Sequence, residues 1–171
     1  MTGRSPRGPG PGAPLVIGVG NDIRGDDAAG LRVTRDLRLL VGDRARIVDS
    51  PGGVTELLDL WEGQHQVYLV DAVRSGGAPG SWRRFSVGEE PLPSSLANTS
   101  THGLSIASAV ALGQTLGRMP HHLVLYGIEA SRFDPGAELS PGVLVSIREV
   151  ALALAAELER LAPPPEAAGG R

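Results

Sequence analysis

Short continuous apolar runs alternate along the chain with segments in which apolar residues recur at helical spacing. The first run, residues 15–19, predicts a strand, and the apolar positions that follow predict a helix: Ala29, Val33, Leu37 and Leu40. A second run at 45–48 precedes helical spacing over 54–61, and a third run covers 66–70. Because strands and helices alternate, we expect a mainly parallel sheet.

The second half of the chain continues this pattern. It predicts a fourth strand at 81–86, a helix of small residues that ends near Leu116, and a last strand at 123–127. Ser140 then supplies a capping hydroxyl and Pro141 the first position of a final helix. The apolar positions of that helix are Val143, Ile147, Val150, Leu154, Leu158 and Leu161. We expect this helix to pack along the core.

Composition separates a patterned body from two ends rich in Pro and Gly. Residues 15–161 are long enough for a single α/β domain with one core. Residues 1–14 lack apolar patterning and are expected to form a disordered extension, and residues 162–171 a flexible tail.

The net charge of −3 and the absence of cysteine remove several classes of function. A nonspecific nucleic-acid binder would need a broad basic surface, and disulfide frameworks, zinc ribbons and iron–sulfur centres need cysteine. Within residues 1–14 no apolar segment follows the arginines, and no apolar run in the chain reaches the roughly 18 residues of a membrane span. We therefore expect a cytoplasmic monomer with no nucleic-acid or membrane partner.

The stretch GVGNDIRGDDAAG, residues 18–30, predicts a tight turn from strand to helix that places Asp26 and Asp27 beside the helix N-terminus. It resembles part of a dinucleotide fingerprint, and Asp49 stands where a ribose-binding acid would follow the second strand. However, Ile23 replaces the third glycine, and two carboxylates would repel a pyrophosphate. Simple helix capping explains one Asp better than two.

Two further residues extend this candidate site. Asp71 follows the third apolar run, and His102 precedes the helix of small residues. Strands one and three are usually neighbours in a doubly wound sheet, so Asp27 and Asp71 would face each other, with His102 on a third side. Two carboxylates and one imidazole suit a first-row divalent metal with open positions. The remaining histidines precede strands and are expected at the opposite edge: His65, His121 and His122.

Four motifs, in this order, resemble those of the nickel–iron hydrogenase maturation proteases. They are GVGNDIRGDDAAG (18–30), YLVDAVRSGGAPGSW (68–82), THGLS (101–105) and YGIEASRFDPGAELSPGV (126–143). The resemblance covers most of residues 15–161. It implies an α/β three-layer sandwich with a twisted, mainly parallel sheet and helices on both faces.

The resemblance also implies a function. Proteins of this family are endopeptidases that remove the C-terminal extension of a hydrogenase large-subunit precursor after nickel insertion, so nickel would arrive with the precursor. Asp27, Asp71 and His102 match the catalytic and metal-holding positions, and Asp49 is a second-tier catalytic candidate. The family commonly continues the latter Asp with Gly and Thr, whereas residues 50–52 here are Ser-Pro-Gly. A non-catalytic nickel-site checkpoint or metallochaperone with the same ligands is the alternative.

Overall fold

The computed structural model describes residues 9–10, 12–89 and 106–161. Within these ranges five strands form one sheet: β1 (Leu15–Val19), β2 (Arg46–Ser50), β3 (Gln66–Val73), β4 (Trp82–Val87) and β5 (His122–Glu129). Their order is β2-β1-β3-β5-β4. The pairs β1–β2, β1–β3 and β3–β5 are parallel, and β4 is antiparallel to β5. The predicted neighbourhood of strands one and three is therefore confirmed.

Helices cover both faces of this sheet. They are α1 (Ala29–Val41), α2 (Val54–Trp61), α3 (Ile106–Leu116) and α4 (Pro141–Leu161). One core lies between the sheet and the α1–α4 pair, and a second core lies between the sheet and the α2–α3 pair. The predicted three-layer α/β fold is thus confirmed.

The alternation of side chains in β3 defines the two faces. Tyr68 and Val70 pack in the core beside α1 and α4, whereas Leu69 and Val73 pack in the core beside α2 and α3. A parallel strand that is buried on both faces has a continuous run of apolar residues in its sequence. For this reason the sequence predicts β3 well. Since successive side chains point to opposite faces, Asp71 projects toward the α2–α3 side.

Three strands are longer than the sequence predicts, including β5, which spans His122–Glu129 instead of 123–127. The β3 strand continues to Val73, because its last residues remain paired with Ile128 and Glu129 of β5. Asp71 therefore lies within β3 rather than directly after it. Likewise, β2 continues to Ser50 and includes Asp49.

The close approach of α1 to the sheet depends on Gly30. A Cβ atom at this position would lie 2.3 Å from the carbonyl oxygens of both Val19 and Val70. The helix therefore sits directly on β1 and β3. The 3-10 helix Gly25–Ala28, which leads into α1, is consequently held at the carboxyl ends of these strands.

The other predictions have mixed outcomes. His65, His121 and His122 are exposed at the opposite edge of the sheet, as predicted, and the rings of His65 and His121 stack with 4.8 Å between centroids. No helix in the described part of the chain is long and apolar enough to cross a membrane. The segment 90–105, which contains His102, and most of the two chain ends lie outside the described residues, so the assignment of those ends stays a prediction.

Candidate active site

Two buried carboxylates meet at the carboxyl edge of the sheet. Asp27 lies in the 3-10 helix before α1 and is 4% exposed, and Asp71 lies in β3 and is 9% exposed. Burial and, to a smaller extent, the negative charge of Asp27 together raise the pKa of Asp71 to about 8, although a hydrogen bond from the Ala72 backbone lowers it. The structure thus brings these two predicted residues together. A cation at this position would relieve their mutual repulsion.

Asp26, the neighbour of Asp27, has a structural role. Its carboxylate accepts hydrogen bonds from the backbone N–H groups of Ser131 and Arg132, both at 2.9 Å. The backbone N–H and hydroxyl of Ser140 also donate to it, each at 2.6 Å. Burial by itself would raise the pKa of Asp26, but these hydrogen bonds hold it below its usual value. The predicted capping hydroxyl of Ser140 therefore serves to bind Asp26.

Further contacts tie the loops of this edge together. The Arg24 side chain donates to the Phe133 carbonyl at 3.2 Å, and the Arg74 guanidinium lies 4.5 Å from the centre of the Phe133 ring. The backbone N–H of Gly136 donates to the carbonyl of Ile23 at 2.8 Å. The loops after β1, β3 and β5 therefore form one connected surface around the carboxylate pair.

The glycine-rich turn is built for close packing of its own backbone. Gly20 has a φ of +148°, and a Cβ atom there would lie 1.9 Å from the carbonyl oxygen of Asp27. That same carbonyl accepts a hydrogen bond from the Asn21 N–H at 3.2 Å. The glycine at position 20 thus lets the turn fold back on itself and place Asp27.

Asp49 has partners on helix α1. It accepts hydrogen bonds from the Thr34 hydroxyl at 2.7 Å and from Arg38 at 3.1 Å. It shares a row of the sheet with Val70, which packs on the α1–α4 side, whereas Asp71 projects toward the α2–α3 side. Its side chain thus lies on the other face of the sheet from that of Asp71, and its catalytic role stays a prediction.

The third predicted ligand, His102, lies outside the described residues. Across residues 12–89 and 106–161, no group of three His, Cys, Asp or Glu side chains is placed to hold a metal ion. The described part of the site therefore supplies two carboxylate ligands, from Asp27 and Asp71.

A cavity of about 300 Å³ that the sequence did not reveal has Gly127, the register partner of Asp71, in its wall. Glu129, at the end of β5, lies in its wall and is 4% exposed. Its carboxylate accepts hydrogen bonds from the N–H of Ser75 at 2.8 Å, the Ser75 hydroxyl at 2.6 Å and the N–H of Gly76 at 3.0 Å. The signal for Glu129 is an acid that ends an apolar strand, the same signal that drew attention to Asp71.

Residues 33–157 match the family model described as hydrogenase maturation protease. The chain belongs to this family. The matched range includes Asp49, Asp71 and His102, and it begins six residues after Asp27.

Curated members of the hydrogenase maturation protease family agree with this assignment. The chain is 31% identical over 133 residues to the hydrogenase 2 maturation protease of Escherichia coli K12, a match that covers 75% of this chain and 80% of the relative. It is 29% identical over 132 residues to the hydrogenase expression/formation protein HupD of Bradyrhizobium diazoefficiens, covering 75% of this chain and 69% of that protein.

Solved structures of hydrogenase maturation proteases share the fold. The endopeptidase HybD of E. coli superposes with a TM-score of 0.73 at 27% identity, covering 87% of this chain and 93% of that chain. The [NiFe] hydrogenase maturation protease HycI of Thermococcus kodakarensis gives a TM-score of 0.63 at 25% identity, covering 86% and 93%. The predicted family, fold class and peptidase activity are therefore confirmed.

Proposed function

We propose that this protein is the endopeptidase that removes the C-terminal extension from the large-subunit precursor of a nickel–iron hydrogenase, after nickel has been inserted. In this proposal Asp27, Asp71 and His102 bind the nickel that the precursor carries. The precursor is the protein partner, and nickel is part of the substrate rather than a resident cofactor.

The observation that carries this proposal is the buried pair of Asp27 and Asp71 at the carboxyl edge of the sheet. Two such carboxylates are costly when both are charged, and a bound divalent cation would offset that cost. Oxygen ligands from Asp and nitrogen from His fit a first-row divalent metal. The names of the relatives, which refer to hydrogenase maturation, point to a hydrogenase precursor as the source of that metal.

The same arrangement suggests how cleavage is directed. Nickel tethered by Asp27 and Asp71 would fix the precursor so that the scissile bond lies beside the pair, and a bound cation supplies polarisation of a nearby carbonyl. Either a carboxylate of the site or the cation would activate the attacking water. Three protein ligands by themselves would hold free metal weakly. The affinity for nickel would therefore come from both proteins together.

The test compares two forms of the precursor. The protease is treated with chelator, desalted and incubated with nickel-loaded or nickel-free precursor, and loss of the C-terminal extension is followed by mass spectrometry. We expect only the nickel-loaded form to be cut. Equal cleavage of both forms would contradict nickel-dependent recognition, and a need for metal pre-bound to the protease would indicate an ordinary metallopeptidase. Binding of the nickel-loaded form without cleavage would favour the checkpoint or metallochaperone.

A further inference from the structure

Asp71, Gly127 and Arg83 form one row across three adjacent strands. Gly127 of β5 is the register partner of Asp71 on β3 and also of Arg83 on β4. Residues paired in this way project to the same face of a sheet. Phe85, two positions after Arg83, packs in the α2–α3 core, so the row belongs to the α2–α3 side. A carboxylate, a position without a side chain and a guanidinium therefore follow one another on this face.

The position without a side chain opens into the cavity of about 300 Å³. A Cβ atom at Gly127 would lie 3.3 and 3.4 Å from the methyl groups of Val73 and 3.9 Å from the ring of Phe85. Those two residues line the cavity together with Gly127 and Arg83. A side chain larger than Ala at position 127 would thus grow into the cavity.

The lining combines polar groups with an apolar wall, so it suits a peptide residue that presents both a polar main chain and an apolar side chain. Val73 and Phe85 supply apolar walls. The donors of Ser75 are already bound to Glu129. Arg83 is exposed, and among the residues that the structure describes no carboxylate pairs with it. Its guanidinium is therefore a side-chain donor of this lining that can bind a carbonyl oxygen.

The cavity is close enough to Asp71 for one or two residues of a bound peptide to span the distance. Neighbouring strands are about 4.8 Å apart, so Gly127 is one strand spacing from Asp71 and Arg83 is two. An extended peptide advances about 3.3 to 3.6 Å per residue. A bound segment whose scissile bond lies beside Asp71 would therefore place an adjacent residue over Gly127.

We infer that this cavity receives an apolar side chain of the precursor next to the scissile bond, and that Arg83 binds a main-chain carbonyl of the same segment. Gly127 and Arg83 are then specificity-determining residues of the protease. This inference rests on the proposed function, because it assumes that the carboxylate pair fixes the scissile bond.

The first test fills part of the cavity by adding a side chain to its floor with Gly127→Val. The φ of Gly127 is not in the left-handed region, and Val is favoured in strands, so the backbone accepts the change. The substrates are nickel-loaded precursors in which one residue that flanks the scissile bond, on either side in turn, is Leu or Ala. We expect wild-type protease to cut one Leu precursor about tenfold or more faster in kcat/KM than its Ala counterpart. Gly127→Val reverses that order, and Gly127→Ala gives an intermediate ratio. Thermal unfolding verifies that both variants are folded.

The second test removes the positive charge of the side chain at position 83 with Arg83→Gln. We expect KM for the precursor to rise severalfold with a smaller change in kcat, since the lost contact binds the segment rather than the reacting atoms. Arg46→Gln is the matched control, because Arg46 is an exposed strand residue at the start of β2. Equal effects of the two substitutions would overturn the assignment of Arg83.

These experiments separate the two proposals. If wild-type protease leaves nickel-loaded precursor uncut, the proposed function itself fails. If wild-type protease cuts it, but folded Gly127→Val keeps the wild-type preference between Leu and Ala precursors, the function stands and the cavity is not the subsite.

Discussion

Asp26 and Asp27 are consecutive residues with different partners. Asp26 binds backbone N–H groups near the end of β5 and before α4, at Arg132 and Ser140 among others. Asp27 lies close enough to Asp71 for its charge to raise the pKa of that carboxyl. One acid therefore holds the loops of the site together, and the other belongs to the candidate site itself. Substitution of Asp26 should therefore lower mainly the stability, and substitution of Asp27 mainly the cleavage activity.

Replacing Asp26 with Ala should destabilise the protein by about 3 kcal/mol or more. The substitution leaves several buried donors without their acceptor, and each such loss costs about 1 to 3 kcal/mol. Urea unfolding measures the change in the free energy of unfolding. Asp36→Ala is the control, since Asp36 is exposed on α1. A loss no larger than that of the control would show that the Asp26 contacts contribute little.

Replacing Asp27 or Asp71 with Asn should abolish cleavage while the fold is retained. Asn keeps the shape of Asp but supplies no negative charge for a cation, and it removes the repulsion between the pair. We expect the rate of precursor cleavage to fall about 100-fold or more, with stability unchanged or slightly higher. Gel-based cleavage and urea unfolding are measured together, with Asp36→Asn as control. Parallel loss of stability and activity would indicate a structural role.

The sequence predicts the order and type of the strands and helices, but it cannot set their ends. Leu15–Val19 and Val54–Trp61 match their predicted bounds because Gly and Pro residues flank the apolar patterns. The end of β3 depends on pairing with β5, whose partner residues are more than fifty positions away. Asp71 therefore turned out to lie inside the strand.

The candidate site, too, can be predicted from the sequence only in part. The pairing of Asp27 with Asp71 follows from the neighbourhood of two parallel strands, which general rules of α/β topology predict. The role of Asp26 depends on Ser140, 114 positions later, and no local pattern indicates that contact. The direction of Asp49 depends on the alternation within β2, so it became evident only from the structure.

Acid should weaken the protein partly through Glu157. This residue of α4 accepts hydrogen bonds from Arg84 at 2.7 and 2.9 Å, Tyr68 at 3.1 Å and Tyr126 at 2.5 Å. Burial by itself raises the pKa of Glu157, but these hydrogen bonds and the charge of Arg84 lower it below its ordinary value of 4.5. The resulting stability is present above the unfolded-state pKa and is lost as the pH falls through the lower folded-state pKa.

The measurement compares Glu157→Gln with the wild type over pH 3 to 7. We expect the wild type to lose stability as the pH falls below the ordinary Glu pKa of 4.5, and the variant to lose less over the same interval because Gln does not titrate. Glu159→Gln is the control, since Glu159 forms an exposed ion pair with Arg44. Identical pH profiles for Glu157→Gln and wild type would contradict this role.

The contact of α1 with the sheet should tolerate no added methyl group at Gly30. A Cβ atom there would lie 2.3 Å from two backbone oxygens, of Val19 and Val70, and backbone atoms in a sheet cannot move aside as the end of a side chain can. Gly30→Ala should therefore cost about 2 kcal/mol or more despite the higher helix propensity of Ala. Chemical denaturation measures this cost. The matched control is Gly53→Ala, where the nearest atoms to an added Cβ are 3.8 Å away.

The same substitution should also impair cleavage in molecules that remain folded. Displacement of α1 would move the 3-10 helix Gly25–Ala28 that precedes it, and with it Asp27 relative to Asp71. Displacements of about 1 Å are enough to reduce rates about 100-fold when reacting groups must be aligned. We therefore expect a lower kcat for Gly30→Ala at temperatures well below its unfolding midpoint. Wild-type kcat in a destabilised Gly30→Ala protein would show that the position of Asp27 does not depend on this helix contact.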